Sequence, residues 1–176
     1  MSVPKIPPPV KLIFSVIYAD SSNCQKGISM LQKEWGAIDF LKMDLPFHHT
    51  TYYEREMGHP LRRCFLSFKT LIDRQALVTV KRVSNQIEND LAKEDGRRTL
   101  NLDPGYVTDY QLVLASGKNF SHRIYLGEGV FADLTLVFRE KKFEPLPWTY
   151  PDYRQAPLMD ALMAVRADYL KDRSNV

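Results

Sequence analysis

The sequence has few cysteines and no long hydrophobic run. Its two cysteines, Cys24 and Cys64, are not spaced as CxxC, so the sequence indicates neither a disulfide framework nor a zinc knuckle. The longest early apolar run, residues 12–19, is interrupted by Ser15 and is much shorter than the roughly 20 residues of a membrane span. No signal-peptide cleavage pattern accompanies it. We therefore expect reduced thiols, a cytoplasmic location and no membrane partner.

The chain also lacks an excess of either charge, since 24 basic and 21 acidic residues give a net charge of +3. Such a balance does not predict binding to nucleic acid, which would need a basic face on the folded protein. The 176 residues suffice for one domain with a proper core, and no linker divides them. We expect a single domain over residues 1–176, in which residues 1–9 form a proline-rich N-terminal arm.

The motifs of common nucleotide-binding folds are incomplete. A phosphate-binding P-loop needs G-x-x-x-x-G-K-[ST], in which backbone amides cradle the phosphates and the final hydroxyl holds magnesium. Here Gly117-Lys118 is followed by Asn119, and the next segment has the pattern of a strand instead of a helix. No G-x-G-x-x-G is present, so a Rossmann dinucleotide site is not indicated.

Metal and hydrolase motifs are missing too. Three histidines lie in residues 48–59, but no H-E-x-x-H or Cys/His spacing accompanies them. Ser116, His122 and Asp103 are the residue types of a nucleophilic triad, but no G-x-S-x-G surrounds the serine. The sequence therefore favours neither a transition-metal site nor such a triad, and it identifies no cofactor.

Regular periodicities are present from residue 10 onward. Residues 10–19 have the composition of a buried central strand, and the S-x-x-Q form of residues 22–25 predicts a capping box that opens a helix ending at Gly36. Further patterns predict strands at 38–47 and 61–68, a helix at 74–93 capped by Asp73, and a strand at 97–103 ended by a turn at Pro104-Gly105. This order matches a ferredoxin-like βαββαβ unit.

Three short strands are predicted next, at 111–116, 122–126 and 131–138, and their close spacing implies an antiparallel meander. Residues 143–153 contain three prolines and are predicted to form an irregular strap, before Pro157 opens a last helix. The predicted fold is a single α+β domain, with a ferredoxin-like βαββαβ unit extended by an antiparallel meander and a C-terminal helix. We expect the helices to cover one sheet face and leave the other for the strap or a ligand.

Candidate site residues fall into a basic and an acidic set. Lysine and arginine pair with phosphate or carboxylate oxygens, and a histidine at position 122 is suited to donate a proton near neutral pH. Carboxylates and amides are suited to hold a divalent cation or to carry protons. The candidate ligand-binding residues are Tyr53, Glu56, Lys81, Asn85, Glu88, Asn101, Asp103, Lys118, His122 and Arg123.

One geometric prediction concerns the helix at 74–93. Lys81, Asn85 and Glu88 are spaced i, i+4 and i+7, so they share one side of that helix. If this flank lines a site, we expect Asn85 to be at least partly buried and to face the polar edge of the strand that contains Asn101 and Asp103.

Five runs of the sequence resemble the uncharacterised prokaryotic family named domain of unknown function 4416. The runs are residues 52–58 (YYEREMG), 101–106 (NLDPGY), 114–118 (LASGK), 122–126 (HRIYL) and 148–153 (WTYPDY). The resemblance covers nearly the whole chain and implies a small cytoplasmic protein of no established activity. Some members carry an automatic label of GTP-binding protein, which the incomplete P-loop in this chain does not support.

Two functional hypotheses follow from the sequence. The first is a protein that binds a small anionic ligand, a nucleotide or a sugar phosphate, in a pocket of mixed charge. The second is a non-enzymatic interaction module that binds protein or RNA through its tyrosine- and proline-rich surface. No motif of known mechanism is complete, so the first hypothesis includes both a binding protein and an enzyme.

Overall fold

A computed structural model of the chain describes residues 1–48 and 50–174, and the β-strands of these residues form one antiparallel sheet. The strands are β1 (Val10–Tyr18), β2 (Ile38–Pro46), β3 (Arg62–Ile72), β4 (Leu100–Val107), β5 (Gln111–Ser116), β6 (Arg123–Gly127), β7 (Val130–Arg139) and β8 (Lys142–Pro145). The α-helices are α1 (Ser21–Trp35), α2 (Glu54–Met57), α3 (Leu77–Asp90) and α4 (Ala156–Arg173).

The predicted fold class is confirmed. The sheet order is β2-β3-β1-β4-β5-β7-β6, and β8 pairs with β7. The first four strands, with α1 and α3 as connections, form the βαββαβ unit, in which β1 is central and every neighbour is antiparallel. Strands β5 to β8 extend the sheet beyond β4, and α4 closes the chain.

Successive side chains of β1 point to opposite faces of the sheet, so the strand contributes to a core on each face. Leu12, Phe14 and Val16 pack with residues of α1 and α3, whereas Ile13 packs with Leu162 and other residues of α4. The expectation that helices cover only one face is therefore wrong. Helix α4 has an apolar side of its own that must be buried, and the face opposite α1 and α3 is where it lies.

The two predicted helix caps are not the ones observed. Helix α1 begins at Ser21, and the Oδ1 atom of Asp20 accepts a hydrogen bond from the Ser22 backbone N–H at 2.7 Å. Ser22 therefore lies in the first turn and does not cap the helix. Asp73 precedes a 3₁₀ turn, Arg74–Ala76, without a capping hydrogen bond from its side chain, so α3 begins later than predicted.

The predicted turn at Pro104-Gly105 is also wrong, because β4 continues through both residues to Val107. Pro104 lies opposite Phe14, and Gly105 lies between Ile13 of β1 and Leu114 of β5. A Cβ atom added at Gly105 would lie 2.5 Å from the Val113 carbonyl oxygen. The glycine is therefore explained by a close approach of two strands and not by a turn.

The strap of residues 143–153 is more regular than predicted. It begins within β8, which pairs with the C-terminal half of β7, and it ends in a 3₁₀ turn, Pro151–Arg154. Strand β6 pairs with the N-terminal half of the same edge of β7. The Nε1–H of Trp148 donates to the Leu134 carbonyl at 2.8 Å, between these two paired regions. This bond holds the strap against the sheet.

Candidate functional site

The candidate site lies where two neighbouring strands separate. Strands β4 and β5 pair only through Gly105–Val107 of β4 and Leu112–Leu114 of β5. Beyond this contact β5 continues beside β7, while residues 100–104 of β4 have a strand partner only in β1. A cavity of about 590 Å³ lies at this separation, lined by Asn101 and Asp103 from β4 and by residues 114–116 of β5.

Helix α3 satisfies the edge of β4 that β5 leaves open. The Leu102 N–H donates to Oε1 of Glu88 at 2.5 Å, and the Leu102 carbonyl accepts from Nζ of Lys81 at 3.1 Å. Both residues are 8% exposed. Buried backbone groups need partners, so these two side chains replace the missing strand, and the predicted flank of the helix faces the cavity.

Burial raises the pKa of Glu88 above the ordinary value of 4.5, and the nearby Lys81 ammonium offsets part of this rise. Folding therefore disfavours the charged form of Glu88. The stabilising contribution of the protonated form is fully present below the ordinary pKa, and it is lost as the pH rises through the higher pKa of the folded state.

We expect Glu88→Gln to remove this pH-dependent loss. A glutamine carbonyl can still accept the Leu102 N–H, but the group no longer ionises. In urea unfolding at pH 4.5, 5.5 and 7, the variant should gain free energy of unfolding relative to the parent as the pH rises. Glu34→Gln, at an exposed position of α1, should show no such trend. A variant that loses stability relative to the parent between pH 4.5 and 7 would show that Lys81 needs the charge of Glu88.

Asp103 lines the cavity and contacts two other lining residues. Its Oδ2 atom accepts from Nδ2 of Asn101 at 2.7 Å, and its Oδ1 atom lies 3.9 Å from Nζ of Lys81. Burial raises the pKa values of three tyrosines, and the charge of Asp103 adds to each rise; these are Tyr53, Tyr150 and Tyr153. One carboxylate therefore acts on aromatic residues from two distant segments that meet over the cavity.

The loop before β3 forms one aromatic wall. Tyr53 packs against Phe47, with ring centroids 6.3 Å apart, and the Arg98 guanidinium lies 5.4 Å from the centre of the Tyr53 ring. Arg98 also donates to Glu56 at 2.6 Å and to Oδ1 of Asn101 at 3.1 Å. Glu56 does not line the cavity. It acts through Arg98, which joins the loop to β4.

Arg123 and His122 fix the position of the strap. Arg123 donates hydrogen bonds to four oxygen atoms, on Asp133, on Ser116, on the Lys118 backbone and on the Tyr150 hydroxyl. The His122 ring stacks on Trp148 at 5.0 Å, and its Nε2 atom lies 3.2 Å from Asp133. Arg123 lines the cavity with most of its donors already engaged, and His122 does not line it.

Lys118 lies at the exposed side of the cavity and differs from the other cations there. Its Nζ atom lies 4.8 Å from the centre of the Tyr52 ring. Within residues 1–48 and 50–174, no carboxylate forms an ion pair with it. The charge of Lys118 is therefore free to meet a ligand, whereas those of Lys81, Arg98 and Arg123 are partly neutralised.

The buried end of the cavity was missed by the sequence analysis. Arg63 of β3 pairs with Asp152 of the strap, and its guanidinium lies between the rings of Phe47 and Tyr153 at 4.9 and 5.1 Å from their centres. Arg63 is only 5% exposed. An arginine inside an otherwise buried strand was a signal for a buried ion pair, but the identity of its partner could not be read from the sequence.

The structure brings most of the predicted site residues together. Eight of them line the cavity, namely Tyr53, Lys81, Asn85, Glu88, Asn101, Asp103, Lys118 and Arg123. Asn85 is exposed, so the expectation that it would be partly buried is wrong. The residue lies on the predicted side of α3, but at the mouth of the cavity, where water can satisfy its amide.

No group of three or more His, Cys, Asp or Glu residues in the described part of the chain could hold a metal ion. His49, one of the three histidines singled out in the sequence, lies outside the described residues. None of the helices described is both long enough and apolar enough to cross a membrane.

Comparison with known proteins identifies a family but no individual relative. The family model described as domain of unknown function (DUF4416) matches residues 8–169. Neither a curated protein nor a solved structure matches the chain. The family match covers nearly the whole chain, so the chain belongs to the DUF4416 family.

Proposed function

We propose that this member of the DUF4416 family binds a small anionic ligand, a nucleotide or a sugar phosphate, in the cavity between β4 and β5. The observation that carries the proposal is the position of Lys118, which pairs with no carboxylate of the described residues and lies beside an aromatic wall at the open side of a cavity with a polar floor. Ligand sites combine such a concave shape with a few polar groups that fix the orientation of the ligand.

The size of the cavity supports this class of ligand. A volume of about 590 Å³ lies inside the range of roughly 300–1,000 Å³ that is typical of small-molecule sites. Four tyrosines line it, which offers flat surfaces to a base or to the C–H face of a sugar; they are Tyr52, Tyr53, Tyr150 and Tyr153. The mixed polar wall suits a ligand that has both charged and neutral polar groups.

The distribution of charged side chains in the cavity favours binding of the ligand's anionic group at the mouth of the cavity. Acidic side chains lie deeper in the cavity, at Glu88, Asp103, Asp133 and Asp152, and would repel a phosphate placed against them. Lys118 has no such neighbour among its contacts in the described residues, and an ammonium attracts phosphate oxygens as a point charge. A phosphate at Lys118 leaves the rest of the ligand to enter between the tyrosines.

We expect Lys118→Ala to weaken the binding of a phosphorylated ligand by about tenfold to a hundredfold, since a hydrogen bond to a charged group contributes about 1.5–3 kcal/mol. A thermal-shift screen against nucleotides and sugar phosphates selects the probe, and calorimetry then compares the parent with Lys118→Ala. Lys33→Ala, at an exposed lysine of α1, is the matched control and should bind like the parent. A probe that binds the parent and Lys118→Ala equally tightly would contradict this assignment.

We propose a cytoplasmic location as well. Both cysteines are free and buried, and free cysteines are typical of proteins from a reducing compartment. Fractionation of cells that produce the tagged full-length chain tests this location.

An interaction module is the second candidate function, and the distribution of exposed residues supports it. Residues 1–8 contain three prolines and are exposed, and exposed aromatic side chains are present at Tyr52, Tyr110, Tyr125 and Tyr150. Such groups can stack bases or contact a protein. A labelled single-stranded RNA tests the RNA form of this candidate by fluorescence anisotropy, and binding that needs Tyr110 and Tyr125, which do not line the cavity, would favour it over the ligand site.

A further inference from the structure

An apolar surface surrounds β6, which is the last strand at one end of the sheet. Two exposed aromatic residues, Phe120 and Trp148, contact the ring of His122, which directly precedes this strand. Neither of them lines the cavity, and the same is true of the three exposed apolar residues of the strand. The β6 surface consists of Phe120, Ile124, Tyr125, Leu126 and Trp148.

The outer edge of β6 is open to a further strand. Arg123, Ile124 and Tyr125 pair with β7 in an unbroken register, which shifts only after Tyr125. No described strand lies on the other side of these three residues. An edge strand presents unpaired backbone N–H and C=O groups, which form a template for pairing with another chain.

Strand β2, at the other end of the sheet, is better protected than β6. It carries Asp39, Lys42 and Asp44, and its pairing with β3 is irregular at two places. Charged side chains and irregular pairing keep an edge strand from pairing with another chain. The one charged residue of β6 is Arg123, whose side chain is 8% exposed and paired with Asp133. It therefore gives the edge no such protection.

We infer that β6 pairs with β6 of a second copy of this chain, antiparallel and about a two-fold axis, so that the two sheets continue into each other in a homodimer. A second copy fits because the apolar residues of one copy then meet the same apolar residues of the other. Each Arg123 keeps Asp133, so the contact leaves no charge of β6 without a partner. The inference goes beyond the proposed function, because it assigns a partner to a surface outside the cavity.

The size of the β6 surface agrees with a weak homodimer. Its three aromatic and two aliphatic side chains are each roughly half exposed and offer on the order of 500 Å² per copy, since a whole aromatic side chain has about 150–250 Å². Two copies then bury about 1,000 Å², which is the lower bound for a specific interface. Hydrogen bonds between the two β6 backbones add to this contact. We therefore expect a dissociation constant in the micromolar range.

Sedimentation equilibrium of the full-length chain measures this constant. We expect the mass of the parent to rise from that of one chain to that of two as the concentration increases. Ile124→Lys should raise the dissociation constant at least about tenfold, because it replaces apolar contact by two ammonium groups that repel each other. Ile124 is 69% exposed, so the Tm of the monomer should stay nearly unchanged. Leu41→Lys, at an exposed leucine of β2, is the matched control and should dimerise like the parent.

A pair of opposite charges tests the two-fold arrangement itself. Ile124→Glu should weaken self-association as Ile124→Lys does, since like charges again face each other. An equimolar mixture of the two variants should associate at least about threefold more tightly than either variant alone, because opposite charges on neighbouring strands attract. If Ile124→Lys does not fold, Leu126→Lys and Leu126→Glu take the place of this pair with the same expected results.

Four results would overturn the inference. The parent could remain monomeric at the highest concentration, or Ile124→Lys could dimerise like the parent. A mixture of the two charged variants that associates no more tightly than each variant alone would exclude the two-fold contact. A dimer that needs residues 2–8 and not Ile124 would assign the contact to the N-terminal arm. RNA binding that needs Tyr125, by a parent that stays monomeric, would assign the β6 surface to RNA and belongs to the first of these results.

Discussion

Asp152→Ala is expected to lower the free energy of unfolding by about 3–5 kcal/mol, because it leaves the Arg63 guanidinium buried without its counter-charge. The pair joins β3 to the strap, and Arg63 is 5% exposed. Urea unfolding at pH 7 measures the loss. Glu128→Ala is the control, since Glu128 pairs with Arg82 where both side chains are more than half exposed, and such a pair contributes about 1 kcal/mol or less.

A double variant separates the charge from the packing. Arg63→Met with Asp152→Leu replaces the ion pair by apolar side chains, which is often neutral for stability. We expect this variant to unfold at a higher urea concentration than Asp152→Ala. If Asp152→Ala costs no more than Glu128→Ala, the pair does not hold the strap over the cavity.

Gly105→Ala is the second change with a large expected effect. The added Cβ would lie 2.5 Å from the Val113 carbonyl oxygen and 2.8 Å from a methyl group of Leu114. The carbonyl belongs to the backbone of β5 and cannot move as a side chain can, so the two strands must separate. We expect a loss of about 1–3 kcal/mol in the free energy of unfolding, as is usual for added volume in a packed core.

Gly117→Ala is the matched control for this prediction. A Cβ at Gly117 would have nothing within 4 Å, and the backbone there does not adopt a positive φ. We expect its stability to equal or slightly exceed that of the parent, because alanine restricts the unfolded chain. Equal stability of Gly105→Ala and Gly117→Ala would mean that β4 and β5 are not in close contact at Gly105.

The fold was predictable because its early elements have strong periodic patterns. The apolar run of β1 and the stripe of α1, with buried Cys24, Ile28 and Leu31, required one sheet and a covering helix. The continuation of β4 through Pro104 and Gly105 was not predictable. Proline and glycine together normally indicate a turn, and only the position of β5 reveals that Gly105 serves a close approach instead.

Only the part of the candidate site that α3 contributes was predictable from the sequence. Spacing along α3 placed Lys81 and Glu88 together, because residues seven apart on one helix share a face. The pairing of Arg63 with Asp152 joins positions 89 residues apart, and a local sequence pattern relates only residues that are close together in the chain. The partners of Arg123 could not be read from the sequence for a similar reason, since Asp133 and Tyr150 belong to other elements of the chain.

The central claim is that the cavity between β4 and β5 binds a small phosphorylated ligand. The most direct test is an NMR titration of the isotope-labelled chain with ribose 5-phosphate, following the backbone amide signals. We predict saturable shifts at Asp103, Ser116, Lys118 and Tyr153, which surround the cavity from three segments of the chain. If no signal shifts at the highest concentration of ribose 5-phosphate, the claim is contradicted. Shifts confined to the N-terminal arm and the exposed edge of β6 would contradict it as well.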